Sequence, residues 1–407
     1  ERLGTDGSLA VLVGTAGSVY NYDPGNILVI NNRKDEKIVG RLDWNITDGQ
    51  RLSVSYVNAF DTLDSQNNTS PSNSTPSYGL ESNAYALSQL LRAGIVQLNS
   101  DWTDNFSTEA RFLYRYSERG QEPLRGRGFA QFGVCLDPTS ATTPSGVANT
   151  SNATACFAGN TAQNLGGTPR VFFGPDVSRQ TNELFFDTWG GSLLARVELG
   201  DHEVRLLGEF NENRTFNNFL QNSLGNYYFD SLADYQAGNA NQLTLRIPVN
   251  GQPNGAAADF KYSQFTFGFE DDWRITDNLT LTYGVRYDLF GMRDTPEFNP
   301  FFQGRYGFPN TQTYKGLDNF QPRISFNWNA PQGIRLRGGV GVFGGGSPDI
   351  YLSNSFSNTV LSNQVTFVRG NPLGTSCGTV PGPTGAPVPI PTAVCQAALN
   401  NVNGQIP

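Results

Sequence analysis

The sequence predicts an all-β chain: an antiparallel transmembrane β-barrel, present as a partial set of about ten to twelve strands, with short periplasmic turns and long extracellular loops. Three observations predict it. Apolar and polar residues alternate strictly on either side of every tight turn. Five tight turns, at 47–50, 103–105, 200–202, 276–278 and 330–333, alternate with four long polar loops, 61–84, 120–180, 218–258 and 291–317. Four of the five tryptophans stand just before a tight turn. A soluble meander has no reason to gather short turns at one end and long loops at the other, whereas a barrel crossing an outer membrane does.

In the first hairpin Ile38, Gly40, Leu42, Trp44 and Ile46 share one face, and Lys37, Val39, Arg41, Asp43 and Asn45 the other. Beyond the turn, Leu52, Val54 and Tyr56 continue the apolar face. Period two means strand, and the turn makes the pair a hairpin. The second hairpin sets Val96, Leu98 and Trp102, then Phe106, Ala110, Phe112, Tyr114 and Tyr116, against Arg111 and Arg115. The third sets Phe185, Trp189, Leu193, Val197, Val204, Leu206 and Phe210 against Arg196, Glu198, Arg205 and Glu209. The fourth sets Phe265, Phe267, Phe269, Trp273, Leu281, Tyr283, Val285 and Tyr287 against Gln264, Thr266, Glu270, Asp272, Arg274, Arg286 and Asp288. The fifth sets Ile324, Phe326, Trp328, Leu336 and Val340 against Arg323, Asn327, Arg335 and Arg337. Residues 8–20 and 228–238 carry short helix signals, and 359–368 the signal of an eleventh strand. Residues 378–392 are rich in Pro and Gly, without a strand pattern. The expected organisation is a loop segment with a short helix over 1–36, barrel hairpins over 37–345 and a loop region with room for one further strand over 346–407.

Trp44, Trp102, Trp273 and Trp328 on the apolar faces predict an aromatic girdle at a membrane interface, because indole rings favour the headgroup level. The competing arrangement is a soluble all-β binding protein whose apolar faces meet in a core. Strand length favours the membrane: each run exceeds the about 9–11 residues that a tilted span needs, and ordinary strands average nearer 5–6.

A net charge of −8 argues against a nucleic-acid partner. No stretch approaches the ~20 apolar residues of a membrane helix; a mean hydropathy of −0.38 is compatible with a barrel, in which only alternate side chains meet lipid. The chain opens at Glu1 without a signal-peptide pattern and is expected to be an internal fragment. Cys135 and Cys156 fall in one long loop, Cys377 and Cys395 in another. Two disulfides in an oxidising compartment are expected, each closing a loop of roughly 20 residues worth about 3 kcal/mol; four free thiols are the alternative. No CxxC spacing supports zinc.

No catalytic residue, metal or cofactor is assigned. The single histidine, His202, lies in a tight turn and reads as solvated. The acidic pairs Asp271–Asp272 and Glu270–Asp272 stand where a lumen face carries charge anyway. Gly344–Gly345–Gly346–Ser347 has no P-loop lysine and reads as a flexible junction. Arg115, Arg119, Arg125 and Arg127, with Phe129 and Phe132, rise from a strand into a long loop. Guanidinium groups beside aromatic rings at a pore mouth suit an anionic or sugar-like ligand; the competing role is to order the loop.

Several phrases resemble one family. The run from Asp35 to Ile46 with its tight turn and Arg51–Leu52, and the preceding Val19–Tyr20–Asn21–Tyr22–Asp23–Pro24–Gly25, resemble the barrel of Oar-like TonB-dependent receptors. The run from Trp273 to Asp288, that from Asn319 to Phe326 and that from Ile334 to Phe343 are similar to TonB-dependent receptor barrels. The resemblance covers roughly 15–60 and 260–345. It implies energised uptake of a large, unidentified solute across the bacterial outer membrane, through a plugged barrel of about 22 strands. The implied partners are outer-membrane lipid and the TonB complex, the latter reached through a plug domain. Neither plug, TonB box nor a terminal aromatic strand is found between Glu1 and Pro407. A passive porin or a surface adhesion barrel is the alternative function.

Overall fold

The computed structural model describes residues 7–29, 31–72, 76–137, 168–248, 251, 253–346, 349–357, 362–369, 376–381, 387–400 and 402. Alternation becomes strand wherever it was read. In chain order the strands are β1 (Arg33–Thr47), β2 (Gln50–Ser65), β3 (Ser77–Gly79), β4 (Tyr85–Thr103), β5 (Phe106–Pro123), β6 (Gln131–Cys135), β7 (Arg170–Phe173), β8 (Asn182–Leu199), β9 (His202–Phe219), β10 (Asn226–Phe229), β11 (Gln242–Pro248), β12 (Ala258–Thr276), β13 (Leu279–Met292), β14 (Asp318–Asn329), β15 (Arg335–Gly341), β16 (Ser362–Val368), β17 (Ser376–Pro381) and β18 (Pro387–Pro391). The α-helices are α1 (Ser8–Tyr20), α2 (Leu232–Gln236), α3 (Pro300–Tyr306), α4 (Asp349–Ser357) and α5 (Thr392–Leu399). None is long and apolar enough to cross a membrane.

Ten strands form one antiparallel meander in the order β1-β2-β4-β5-β8-β9-β12-β13-β14-β15. Among the described residues the sheet does not close, since β1 and β15 each pair on one side only. Three of the five tight turns share a device. Register shifts between Asn45 and Thr47, Asp101 and Thr103, and Arg274 and Thr276, just ahead of Thr-Asp-Gly or Thr-Asp-Asn. Such bulges raise the local twist that a tight hairpin needs. Neighbouring turns are then tied by backbone bonds: Asp101 N–H to Gly49 O at 2.8 Å, Glu198 to Asn105 at 2.9 Å, Arg274 to Asp201 at 2.8 Å and Asn329 to Asn278 at 2.8 Å. At Gly49 a Cβ would come within 2.6 Å of the Asp101 carbonyl oxygen, so glycine is needed there.

The apolar faces of these strands meet no second sheet. Leu42, Trp44, Val54, Phe112, Leu193, Leu206, Phe267 and Phe326 are all exposed, Phe267 by 55%, and none belongs to a buried cluster. The opposite face is polar and internally paired: Arg205 bonds Glu203 at 2.7 Å, Glu270 at 2.6 Å and Asp272 at 2.9 Å.

Toward the long-loop end the two faces exchange character. On β12 the outward series Trp273, Phe269, Phe267, Phe265 gives way to Ser263, Lys261 and Asp259. The inward series Glu270, Thr266, Gln264 gives way to Tyr262, Phe260 and Ala258, the last two wholly buried. The change runs across the sheet: Trp189 lies in register with Tyr114 and Glu212, and one step further Asp187 lies with Tyr116 and Arg214. Trp189, ten residues from the turn-side Leu199, thus stands at the opposite end of the apolar belt, roughly 30 Å along the strand, and its Nε1–H donates to Glu212 at 3.2 Å.

Above that level the loops fold together. A six-stranded sheet, β16-β11-β10-β6-β7-β3, draws its strands from three separate long loops and the C-terminal region, with β10 parallel to β6 and β3 parallel to β7. Its core joins Leu12, Ala16 and Tyr20 of α1, Phe132, Val134, Phe173 and Phe229 of the strands, Tyr235 of α2 and Leu399 of α5. Tyr20, Phe132, Phe229 and Tyr235 pack at 5.0–6.4 Å between ring centroids. The helix expected over 8–20 forms as α1; of the one expected over 228–238 only Leu232–Gln236 is helical, and residues 228–229 belong to β10. Residues 359–368 do contain a strand, β16, but it pairs with β11 rather than extending the meander. Residues 378–392, expected to lack strands, contribute to the hairpin β17–β18. That hairpin is not legible in sequence because β17 and β18 are six and five residues long, too short for alternation to stand out.

The facing predicts that Phe267→Arg destabilises the folded protein in lipid by about 2–4 kcal/mol, while Gln264→Arg on the inner face costs much less. Urea unfolding in lipid vesicles measures both, and equal penalties would reverse the assignment of faces.

Candidate functional site

The inner face of β12, β13 and β14 forms a pocket at its long-loop end. Register brings its walls together: Gln264 lies opposite Phe290, Thr266 opposite Asp288, and Asp288 opposite Asn319. Tyr262 sits one inward position above Gln264, Tyr314 and Leu317 come from the loop after α3, and Gly344–Gly346 follow β15. The cavity is about 580 Å³, within the range of small-molecule sites.

Its charges are spoken for. Asp288 accepts from Thr266 Oγ1 at 2.6 Å, Arg286 Nε at 3.0 Å and Gln321 Nε2 at 2.6 Å. Gln321 in turn accepts from the Gly344 N–H at 2.9 Å. A Cβ at Gly344 would meet the Asn319 and Gln321 amides at 3.0 and 3.1 Å, which suits glycine at that crossing. The aromatic wall is Tyr262, Tyr314 and Phe290: Tyr314 stands edge-on to Tyr262 at 5.1 Å and 6.0 Å from Phe290.

Helix α4 docks beside the pocket on the same inner face. Leu352 packs with Ala258, Phe260 and Met292, and Phe356 stacks on Phe260 at 4.8 Å. Asn217 Nδ2 donates to Ser353 Oγ at 2.8 Å, and the Tyr262 hydroxyl donates to Asp349 Oδ1 at 3.0 Å. Burial pushes the Asp349 carboxyl above its ordinary range, against the opposing pull of the Tyr262 hydroxyl and the nearby Arg115 guanidinium.

The arginine and phenylalanine set does not converge on one place. Arg115 and Arg119 are exposed on β5, four residues apart on the inner face. Arg125 bridges Asp23 and Glu81, each at 2.8 Å. Arg127 bonds Glu122 at 2.5 Å and the Arg179 carbonyl at 2.9 Å. Phe129 stacks on Tyr22 at 4.0 Å, and Phe132 is wholly buried in the cap core. Four of the six therefore serve the cap's own architecture. Cys135 and Cys395 are buried and disulfide-bonded; Cys156 and the Cys377 side chain lie outside the described residues. Trp44, Trp102, Trp273 and Trp328 all face outward and are exposed.

His202 corrects the expectation of a freely solvated turn residue. Its Nδ1 lies 2.8 Å from Asp271 Oδ2, which also accepts from the Tyr283 hydroxyl at 2.6 Å, and its ring stacks on Trp273 at 5.4 Å. Asp271 is an outward residue and Asp272 an inward one, so they form no acidic pair. Among the described residues no group of three or more His, Cys, Asp or Glu gathers as a metal set. Sequence reasoning missed Tyr262, Tyr314, Asn319 and Asp349. Tyr262 and Asn319 share the inner parity of their strands, a signal that marks the face and not the pocket; Tyr314 arrives from a loop and Asp349 from α4.

An open antiparallel meander with an outward apolar belt and a polar inner face defines a membrane-barrel sheet. The model of the outer membrane beta barrel domain family matches residues 13–406, and the protein belongs to that family. It is a protein of the bacterial outer membrane. Its sequence matches no curated protein. Among solved structures it is similar to the outer membrane transporter YddB from Escherichia coli, at 11% identity and a TM-score of 0.54, covering 84% of this chain and 37% of that one. It is also similar to the ferric-catecholate import receptor Fiu from Escherichia coli in its closed form (12% identity, TM-score 0.39, 75% of this chain and 42% of that one). A third is BauA, the ferric preacinetobactin receptor from Acinetobacter baumannii (11% identity, TM-score 0.37, 78% and 40%). The chain spans less than half the length of each. The likeness to YddB is one of fold.

Because the folded Asp349 carboxyl holds its proton more tightly than an unfolded one, its contribution to docking is complete below the ordinary carboxylate pKa and is lost as pH rises through the raised folded value. Asp349→Asn keeps an acceptor for Tyr262 without the buried charge. It is expected to raise hydrogen-exchange protection of residues 349–357 at neutral pH and to flatten its pH dependence.

Proposed function

We propose that the chain is the barrel part of an Oar-like TonB-dependent receptor, which takes up a large solute in an energised step. The single observation that carries this is the ten-stranded outward-apolar sheet with two unpaired edges. In hydrocarbon an unpaired strand edge is costly, so further strands pair with β1 and β15 and close a larger, plugged barrel. The fold likeness to a transporter of more than twice this length supports the same reading. In this arrangement the tight turns face the periplasm, with Trp44, Trp102, Trp273 and Trp328 as the girdle there. The cap faces the exterior, where Arg115 and Arg119 at the inner mouth help to receive the solute. The plug, outside this chain, couples the barrel to TonB.

Planar-bilayer recording on the full-length parent protein tests the reading. A plugged receptor is expected to show no steady conductance and to cross-link to the C-terminal domain of TonB. Constitutive open-channel current without TonB cross-linking would establish a passive porin instead. The cysteines pair locally in the same proposal, Cys135 with Cys156 and Cys377 with Cys395. Non-reducing peptide mapping is expected to recover those two linked peptides, and a link between the two regions would refute it.

A further inference from the structure

We infer that the pocket at the inner mouth takes a neutral, hydroxyl-rich solute, of which an oligosaccharide is the representative class. The inference rests on the uptake reading and names the chemistry of its cargo. The two full charges on the inner wall of the pocket, Arg286 and Asp288, are paired with each other. Arg286 Nη2 lies 3.0 Å from Asp288, and Asp288 already accepts from three donors on three different strands. Asp318 on the rim accepts from the Tyr287 hydroxyl at 2.7 Å. An anion would meet a guanidinium already neutralised. A cation would have to displace the hydrogen bonds that hold Asp288.

The groups left to a ligand are of another kind. Gln264 and Asn319 make no side-chain hydrogen bond among the described residues, and both border the cavity. Each amide offers two donors and an acceptor with two lone pairs, the pattern that vicinal hydroxyls satisfy from either side. Beside them on the same face stand the rings of Tyr262 and Phe290, with Tyr314 edge-on to Tyr262. A pyranose presents C–H groups on its faces and hydroxyls at its edge, so it can lay a face on an aromatic wall while its rim meets the amides. Backbone at Gly345 and Gly346 has open space where a Cβ would stand, so the third side of the pocket admits a ring-sized group.

The test is equilibrium binding of maltotriose and cellotriose to the full-length protein in a detergent without a sugar headgroup, by saturation-transfer NMR and calorimetry. Saturable binding of at least one is expected, weakened about tenfold or more by Gln264→Ala and by Asn319→Ala, as expected when a good hydrogen bond to a bound ligand is lost. Tyr262→Phe keeps the ring and is expected to bind within about threefold of the parent, since its hydroxyl is committed to Asp349. Because neither Gln264 nor Asn319 bonds another side chain, circular dichroism should confirm that both alanine variants fold. Absence of binding by both trisaccharides, binding indifferent to both alanine variants, or tighter binding of a trisaccharide of uronic acids would overturn the inference. These outcomes are separate from the conductance and TonB arms: sugar binding by a constitutively open channel would keep the cargo class and remove the energised reading.

Discussion

In hydrocarbon a peptide group has no water to turn to, and each unsatisfied N–H or carbonyl costs several kcal/mol. The meander meets that constraint with an unbroken ladder from β1 to β15, in strands of up to 19 residues. Much else follows from it. A continuous ladder forbids proline and loops within the belt, sends alternate side chains to opposite faces and places distant residues opposite one another without further choice. Thr266, Asp288 and Asn319 lie in one row because the ladder puts them there, and the pocket is built on that row. Pro322, on β14, is the exception that shows how the ladder accommodates a missing donor: its carbonyl still accepts from Val342 at 2.8 Å.

The same strands serve two solvents. Below the row of Trp189 the outer face is apolar and the inner face polar; above it Lys261 and Asp259 turn outward while Phe260 and Ala258 turn inward. A soluble strand has no reason to exchange its faces midway. The exchange is explained by a belt of lipid outside the lower part and by α4 packed inside the upper part. Arg214, paired with Asp259 through two bonds at 2.9 and 3.0 Å, sits on the watery side of that boundary. The cap above is held by ordinary means, a close-packed aromatic core of rings such as Phe132, Phe229 and Tyr235, and so differs in kind from the sheet beneath it.

Charge on the inner face is organised by local pairing. Arg41 bonds Asp43 two residues away, Arg205 gathers three carboxylates, and Arg286 bonds Asp288. Partly exposed pairs of this kind each add little stability. Their larger effect is to cancel the field that a wall of like charges would set up in a channel. Neutral groups such as Gln264 and Asn319 then decide what the pocket can hold.

Sequence alone determined the meander, because period-two alternation, over twelve or more residues in every strand but β15, is a local property and the Thr-Asp-Gly and Thr-Asp-Asn turns announce their hairpins. The faces of Phe267 and Gln264, the outward tryptophans and the helix over 8–20 were legible for the same reason. What only tertiary structure decided came from segments far apart in the chain. Residues 131–135, 170–173, 226–229 and 242–248 carry no alternation long enough to notice, yet they pair with one another and with 362–368 into one sheet whose core buries Phe129 and Phe132. The pocket, too, depends on register between three strands and on loops that return to them. His202 shows the difference on a single residue: its place in a tight turn was plain from its neighbours in sequence, and its bond to Asp271, 69 positions away, exists only because β9 lies beside β12.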